Sequence, residues 1–208
     1  KERIASDNAI NNATPPKAAH VVENGAHKFS LESADGQYSI AVTGRLHFDA
    51  GTYVNFKPES SVVGAQHLTS GVNARRARIG VTGKIAGDWT YSFIYDGGNS
   101  QDTAPAGIQQ AQISYTGFKD IIIDLPGYSE PPFTLETATS SNDIVFMERA
   151  TPSALASGLN SGDYRANTGI RFLGDRYWFG AYFTGPQASP DSHTNANERF
   201  GAFQRASF

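Results

Sequence analysis

Trp89-Thr90-Tyr91-Ser92-Phe93-Ile94-Tyr95-Asp96 alternates two kinds of residue. Aromatic rings hold the odd positions, while Thr90, Ser92, Ile94 and Asp96 hold the even ones. A β-strand turns successive side chains to opposite faces, so this octet presents one aromatic face and one mostly polar face. A soluble sheet buries such an aromatic face under a second layer. A barrel in a bilayer turns the same face to lipid and its polar face to an aqueous lumen. The choice separates a soluble domain from a membrane pore.

The pattern continues on both sides of the octet. Strands are expected at 29–33, 38–53, 68–85, 108–116, 119–125, 165–173, 177–184 and 199–208, about eight of them long. In 38–53, Tyr38, Ile40, Val42, Gly44, Leu46 and Phe48 share one face. Ser39, Ala41, Thr43, Arg45, His47 and Asp49 share the other. Asp35-Gly36 is a hairpin signal, because glycine adopts the left-handed backbone of tight turns without strain. Residues 1–26 are polar, carry Pro15-Pro16 and show no period. They read as a disordered or tethering arm, with 27–208 as the body.

Connection lengths point to a barrel. Short links at 83–88, 116–119 and 174–176 alternate with long, Gly-, Ser-, Asn- and Pro-rich stretches at 54–67, 97–107, 126–164 and 185–198. In an antiparallel up-and-down sheet, this places every long connection at one end, as outer-membrane barrels do. Tyr38, Trp89, Tyr115, Phe118, Tyr177 and Trp178 fall beside the short links, where an interfacial aromatic girdle would lie. Two other readings accommodate the pattern: a soluble β-sandwich binding carbohydrate or protein, and a small eight-stranded structural or adhesive barrel.

Composition narrows the function. The 208 residues carry a formal net charge of −3, which argues against a nucleic-acid partner. With no cysteine, neither disulfides nor thiolate chemistry is available. Apolar runs such as Ile121-Ile122-Ile123 stay far short of the ~18 residues a membrane helix needs, a limit that does not apply to barrel strands. His20, His27, His47, His67 and His193 lack metal-ligand spacing, and neither a nucleophile elbow nor a phosphate loop is present. No enzyme activity and no cofactor are expected.

Arg75-Arg76-Ala77-Arg78 is the densest charge cluster. Alternation puts Arg76 and Arg78 on the polar face with Arg45, and turns Arg75 outward unless a bulge intervenes. Permanently charged guanidiniums lining a lumen would attract small anions. They could equally pair with Asp49 or Asp96 as ordinary solvated strand charges. The stretch 126–164 is long for a connection and carries Ile144-Val145-Phe146-Met147, which needs a wall to pack against. Inside a barrel that wall is the lumen, so the stretch is expected to fold inward.

Several motifs occur together in order: Thr43-Gly44-Arg45-Leu46, Arg75-Arg76-Ala77, Asp88-Trp89-Thr90-Tyr91, Ser114-Tyr115-Thr116-Gly117-Phe118, Pro132-Phe133-Thr134-Leu135-Glu136, Ala138-Thr139-Ser140-Ser141 and Met147-Glu148-Arg149. Their order and spacing resemble the phosphate-selective porins, the O/P family of Gram-negative outer membranes. The resemblance implies an all-β, antiparallel transmembrane barrel of sixteen strands, trimeric and in contact with outer-membrane lipid. This chain would supply about eight of those strands, the N-terminal portion. The resemblance also implies an arginine ladder, onto which Arg45, Arg75 and Arg76 fall, with Arg78 as an addition. It implies a third loop folded inward as a constriction, at about 126–164, onto which Thr137, Ser140, Ser141, Glu148 and Arg149 fall. Where phosphate-selective members carry a constriction lysine, this sequence has Thr137. Where they carry a nearby aspartate, it has Gln109. Passage of small anions is therefore expected, and selectivity for phosphate does not follow from the family's name.

Overall fold

Alternation has its expected structural result. A computed structural model describes residues 18–23, 29–54, 70–98, 107–132, 140, 143–146, 150–152, 164–187 and 200–208. It contains β1 (His20–Glu23), β2 (Phe29–Glu32), β3 (Ser39–Gly51), β4 (Gly71–Ile85), β5 (Trp89–Asp96), β6 (Gly107–Phe118), β7 (Ile121–Ser129), β8 (Arg165–Leu173), β9 (Trp178–Gln187) and β10 (Gly201–Ser207). The strands form one sheet in sequence order, each antiparallel to the next. This all-β up-and-down sheet accords with part of a porin barrel.

The burial pattern is inverted relative to a soluble protein. Val42 and Ile79 are 76% and 65% exposed, whereas Arg76 and Asp96 are 3% and 2% exposed. Along β3, the polar residues Thr43, Arg45, His47 and Asp49 are all less exposed than the apolar Val42, Leu46 and Phe48. Leaving that much apolar surface in water would forgo about 25 cal/mol per Å², so the outer face is built for hydrocarbon. The soluble sandwich is thereby corrected: among the described residues no second sheet covers the aromatic row. Ten strands in linear order likewise leave no eight-stranded barrel.

Several strand ends shift by one to four residues from the sequence expectation, and two differences bear on the fold. His20–Glu23, inside the segment read as an arm, pairs with β2. Four residues are too few to display a period. β7 runs through Pro126 to Ser129, beyond the expected end at residue 125. A proline cannot donate to a ladder and is tolerated where pairing is already interrupted. Here the register breaks between Asp124 and Gly127, and the Gln112 amide reaches across to donate to the Leu125 carbonyl.

The short turns use local chemistry. At Asp35-Gly36, Ser33 donates its hydroxyl to the Asp35 carboxylate at 2.6 Å, and the Gln37 N–H donates to the same oxygen at 3.1 Å. The Ser33 bond first, then the Gln37 bond, hold this exposed carboxyl below its ordinary pKa. Between β4 and β5, Ala86 and Gly87 both take positive φ, 50° and 72°. Trp89, Tyr115 and Phe118 meet at this end, with ring centroids 4.8 and 5.1 Å apart.

Twice an aromatic ring lies across a glycine of the adjacent strand, and its hydroxyl bonds to the strand beyond. On the outer face, Tyr91 crosses Gly83, and its hydroxyl donates to the Ser39 carbonyl at 3.2 Å. On the inner face, Tyr182 crosses Gly169 and donates to the Asp124 carboxylate at 2.6 Å. A Cβ on Gly169 would collide with the Tyr182 ring and stand 2.6 Å from the Ala181 carbonyl oxygen. Asp124 also accepts from Ser114 at 2.6 Å and from Arg171 at 2.8 and 3.0 Å. Its charge is thus matched and its oxygens are saturated, as a buried carboxylate requires.

Tyr182→Phe is expected to destabilise the folded barrel by about 2 kcal/mol, the worth of a hydrogen bond to a charged group, read as a lower urea midpoint in detergent. Gly169→Val should cost more, because the ring itself is displaced. Ala86→Gly should stabilise the fold by about 1 kcal/mol, read as a higher urea midpoint, since alanine bears the left-handed strain that glycine does not.

Candidate functional site

The inner face of β3–β5 carries the charged row. Arg45 stands opposite Arg78, and Arg78 opposite Asp96. Arg78 donates through Nε to Asp96 at 2.7 Å, and Asp96 also accepts the backbone N–H groups of Ala77 and Gly98 at 3.1 and 2.9 Å. Beside them Arg76 faces His47, with the Arg76 terminal nitrogen 3.4 Å from the His47 Nδ1. The expectation that arginines pair with ordinary strand carboxylates is therefore met at Arg78.

Arg75 reaches this face through a bulge. His47 pairs with Arg76 and Phe48 with Ala74, which leaves Arg75 as the extra residue of β4. Its guanidinium lies 3.9 Å from the Asp49 carboxylate on the polar side. Strict alternation would have sent that charge into lipid, at a cost of ~2–4 kcal/mol near the bilayer midplane. Gln109 shows the same device. Ile94 pairs with Gln110 and Tyr95 with Ile108, so Gln109 is the extra residue of β6. It is buried, although the odd positions beyond it, Ala111, Ile113 and Tyr115, lie on the outward face.

Two described points of the long connection after β7, Ser140 and Tyr164, lie against this wall. Pro131, just past the end of β7, is fully buried. Ser140 accepts a hydrogen bond from Arg45 at 3.2 Å, in a turn where the Asp143 N–H donates to the Ser140 carbonyl at 2.8 Å. Asp143 lies within electrostatic reach of Arg45. Tyr164, immediately before β8, places its ring 5.8 Å from the Arg78 guanidinium. On a flat sheet β4 and β8 would stand roughly 19 Å apart, four strand spacings, so this contact between two long side chains reaches across the polar face. The Tyr164 phenol donates to Glu130 and accepts from Gln109, and burial first, then the Glu130 charge, push it up to about 12. It remains a hydrogen-bond donor at physiological pH.

Of the sequence-derived site residues, the structure brings together Arg45, Arg75, Arg76, Arg78, Gln109 and Ser140. Thr137, Ser141, Glu148 and Arg149 lie outside the described residues. Of the apolar stretch, Ile144 is half-buried, Val145 and Phe146 are 92% and 80% exposed, and Met147 lies outside the described residues. Among the described residues, Ser140 and Tyr164 touch the portion of wall that the chain supplies. Sequence reading missed Tyr164, Glu130, Asp143 and the Asp124 cluster. No periodicity marks residues in a loop, and Asp124 sits beside a break in its strand. Among the described residues no group of acidic, histidine or cysteine side chains could hold a metal.

Comparison with known proteins agrees with this geometry. A sequence model of the phosphate-selective porin O and P family matches residues 40–204. Porin O of Pseudomonas aeruginosa is 28% identical over 132 residues, which is 63% of this chain and 29% of that protein. The match thus spans under a third of that relative's length. With a single up-and-down sheet, an apolar outer face and this extent of family match, the chain belongs to the phosphate-selective porin O and P family, a family of Gram-negative outer-membrane channels rather than enzymes.

Proposed function

We propose that the sheet from β1 to β10 forms the N-terminal portion of a homotrimeric outer-membrane pore that passes small anions by passive diffusion. In this reading the segment 130–164 folds inward and narrows the lumen beside Arg45, Arg75, Arg76 and Arg78. The observation that carries it is the convergence of four guanidiniums on the polar face, against which Ser140 and Tyr164 are seated. Asp96 and Asp49 lie beside Arg78 and Arg75, and Asp143 lies within electrostatic reach of Arg45, so the four guanidiniums act on the local field together with these carboxylates. A modest anion preference follows. Over lumen distances below the Debye length, about 8 Å at physiological salt, such charges are only partly screened.

Phosphate discrimination is expected to be weak. A lysine ammonium is a compact point charge well suited to a phosphate oxygen, and Thr137 stands where the phosphate-selective pattern has it. Phosphate should accordingly block chloride current only at roughly millimolar concentration, equivalent to about 4 kcal/mol of binding.

Single-channel reversal potentials of the full-length protein in a KCl gradient test this reading. Wild type should favour chloride. Arg76→Gln should lower the anion-to-cation permeability ratio by about threefold, and Asp143→Asn should raise it by a similar factor, each being one unit charge at partly screened range. A wild-type reversal potential of cation sign would overturn the proposal. Thr137→Lys should lower the blocking concentration of phosphate by about tenfold, whereas micromolar block of the wild type would remove the argument from Thr137.

A further inference from the structure

Tyr164 makes contacts that the charged row alone does not require. Its ring covers the Arg78 guanidinium, while its hydroxyl donates to Glu130 and accepts from Gln109. Glu130 is the first residue after β7 and Tyr164 the last before β8, so this one side chain joins the departing and returning limbs of the long segment. It also ties both to the wall, at the bulged Gln109 of β6 and at Arg78 of β4. Arg78 is itself held by its bond to Asp96, so the ring rests on a fixed platform. An ordinary link between two antiparallel strands needs none of this, because the strand ends are already locked. Asn167 donates to the Ser129 carbonyl at 3.0 Å and to its hydroxyl at 2.8 Å.

We infer that Tyr164 is a positioning residue that clamps the 130–164 segment to the lumen wall and so sets the width of the pathway; this rests on the pore reading above. The ring and the hydroxyl have separable parts in the clamp. A cation over an aromatic face is held by the ring quadrupole and does not need the hydroxyl. The hydroxyl joins the two limbs, and its loss would leave Glu130 and Gln109 to find other partners in a confined site.

The test uses full-length protein carrying Tyr164→Phe or Tyr164→Leu. Hydrogen–deuterium exchange is followed in peptides from 130–164 and from the strands, beside single-channel recording. Heat-modified electrophoretic mobility checks that the barrel has folded. Tyr164→Phe keeps the ring over Arg78 and should raise exchange in the segment by about fivefold, with added subconductance steps in the open current. Tyr164→Leu loses both contacts and should raise exchange by about tenfold, with a larger mean conductance. Exchange in the strands should stay at the wild-type rate in both. Wild-type exchange and current in both variants would overturn the inference. Exchange rising equally in strands and segment would overturn it too, because that pattern marks a general structural role. If exchange rises in the segment alone while no channel, wild type included, conducts, the pore reading fails and the clamp stands.

Discussion

In hydrocarbon an unpaired backbone N–H or C=O costs several kcal/mol, so these strands can face lipid only as a continuous ladder. That ladder forces a strict two-residue alternation of faces, and the other features of the molecule are responses to it. Apolar and aromatic residues take the outer face, as Val42, Leu46, Ile79 and Phe93 do. Polar residues must then turn inward, where a curved sheet brings them together. A charged side chain turned inward needs a partner there, which accounts for the saturation of Asp96 and Asp124 by neighbours on adjacent strands.

Departures from alternation fall where the site is assembled. A bulge adds one residue to one strand and turns its side chain to the face that alternation denies it. Arg75 and Gln109 are both such residues, one on each side of the β4–β5 hairpin. The Arg75 bulge keeps a charge out of lipid and delivers it beside Asp49. The Gln109 bulge supplies the wall contact on which Tyr164 rests. Glycine works in the opposite sense: by leaving a gap on one face, Gly83 and Gly169 let a tyrosine span three strands. These crossings brace the sheet along the hydrogen-bonding direction, where the ladder alone links only neighbours.

Among the described residues of 130–164, Ser140 and Tyr164 make polar contacts with the wall, and the apolar side chains Val145 and Phe146 stay exposed. Polar contacts in a wet lumen are weaker than buried apolar packing and more sensitive to single charges. Residues held in this way share their partners with the charged row of the inner face. Arg45 and Arg78 each serve the wall charge and the loop contact at once.

The sequence by itself determined the fold class, because a two-residue period is a local property that any strand of sufficient length displays. Trp89 to Asp96 and Ser39 to Gly51 announce their two faces without reference to the rest of the chain. The alternating lengths of the connections likewise showed which ends of the strands would gather. The inward placement of Arg45, Arg76 and Arg78 was legible for the same reason. Tertiary structure alone decided the register, and with it the bulges that turn Arg75 and Gln109 inward, since a bulge exists only relative to the partner strand. It alone decided that Pro126 lies within β7, because tolerance of a proline depends on what the neighbouring strand leaves unpaired. It alone brought Tyr164 to Arg78 and Ser140 to Arg45, contacts across 86 and 95 positions of sequence. Such contacts leave no local period, because they are set by the curvature of the sheet and the path of a loop across it.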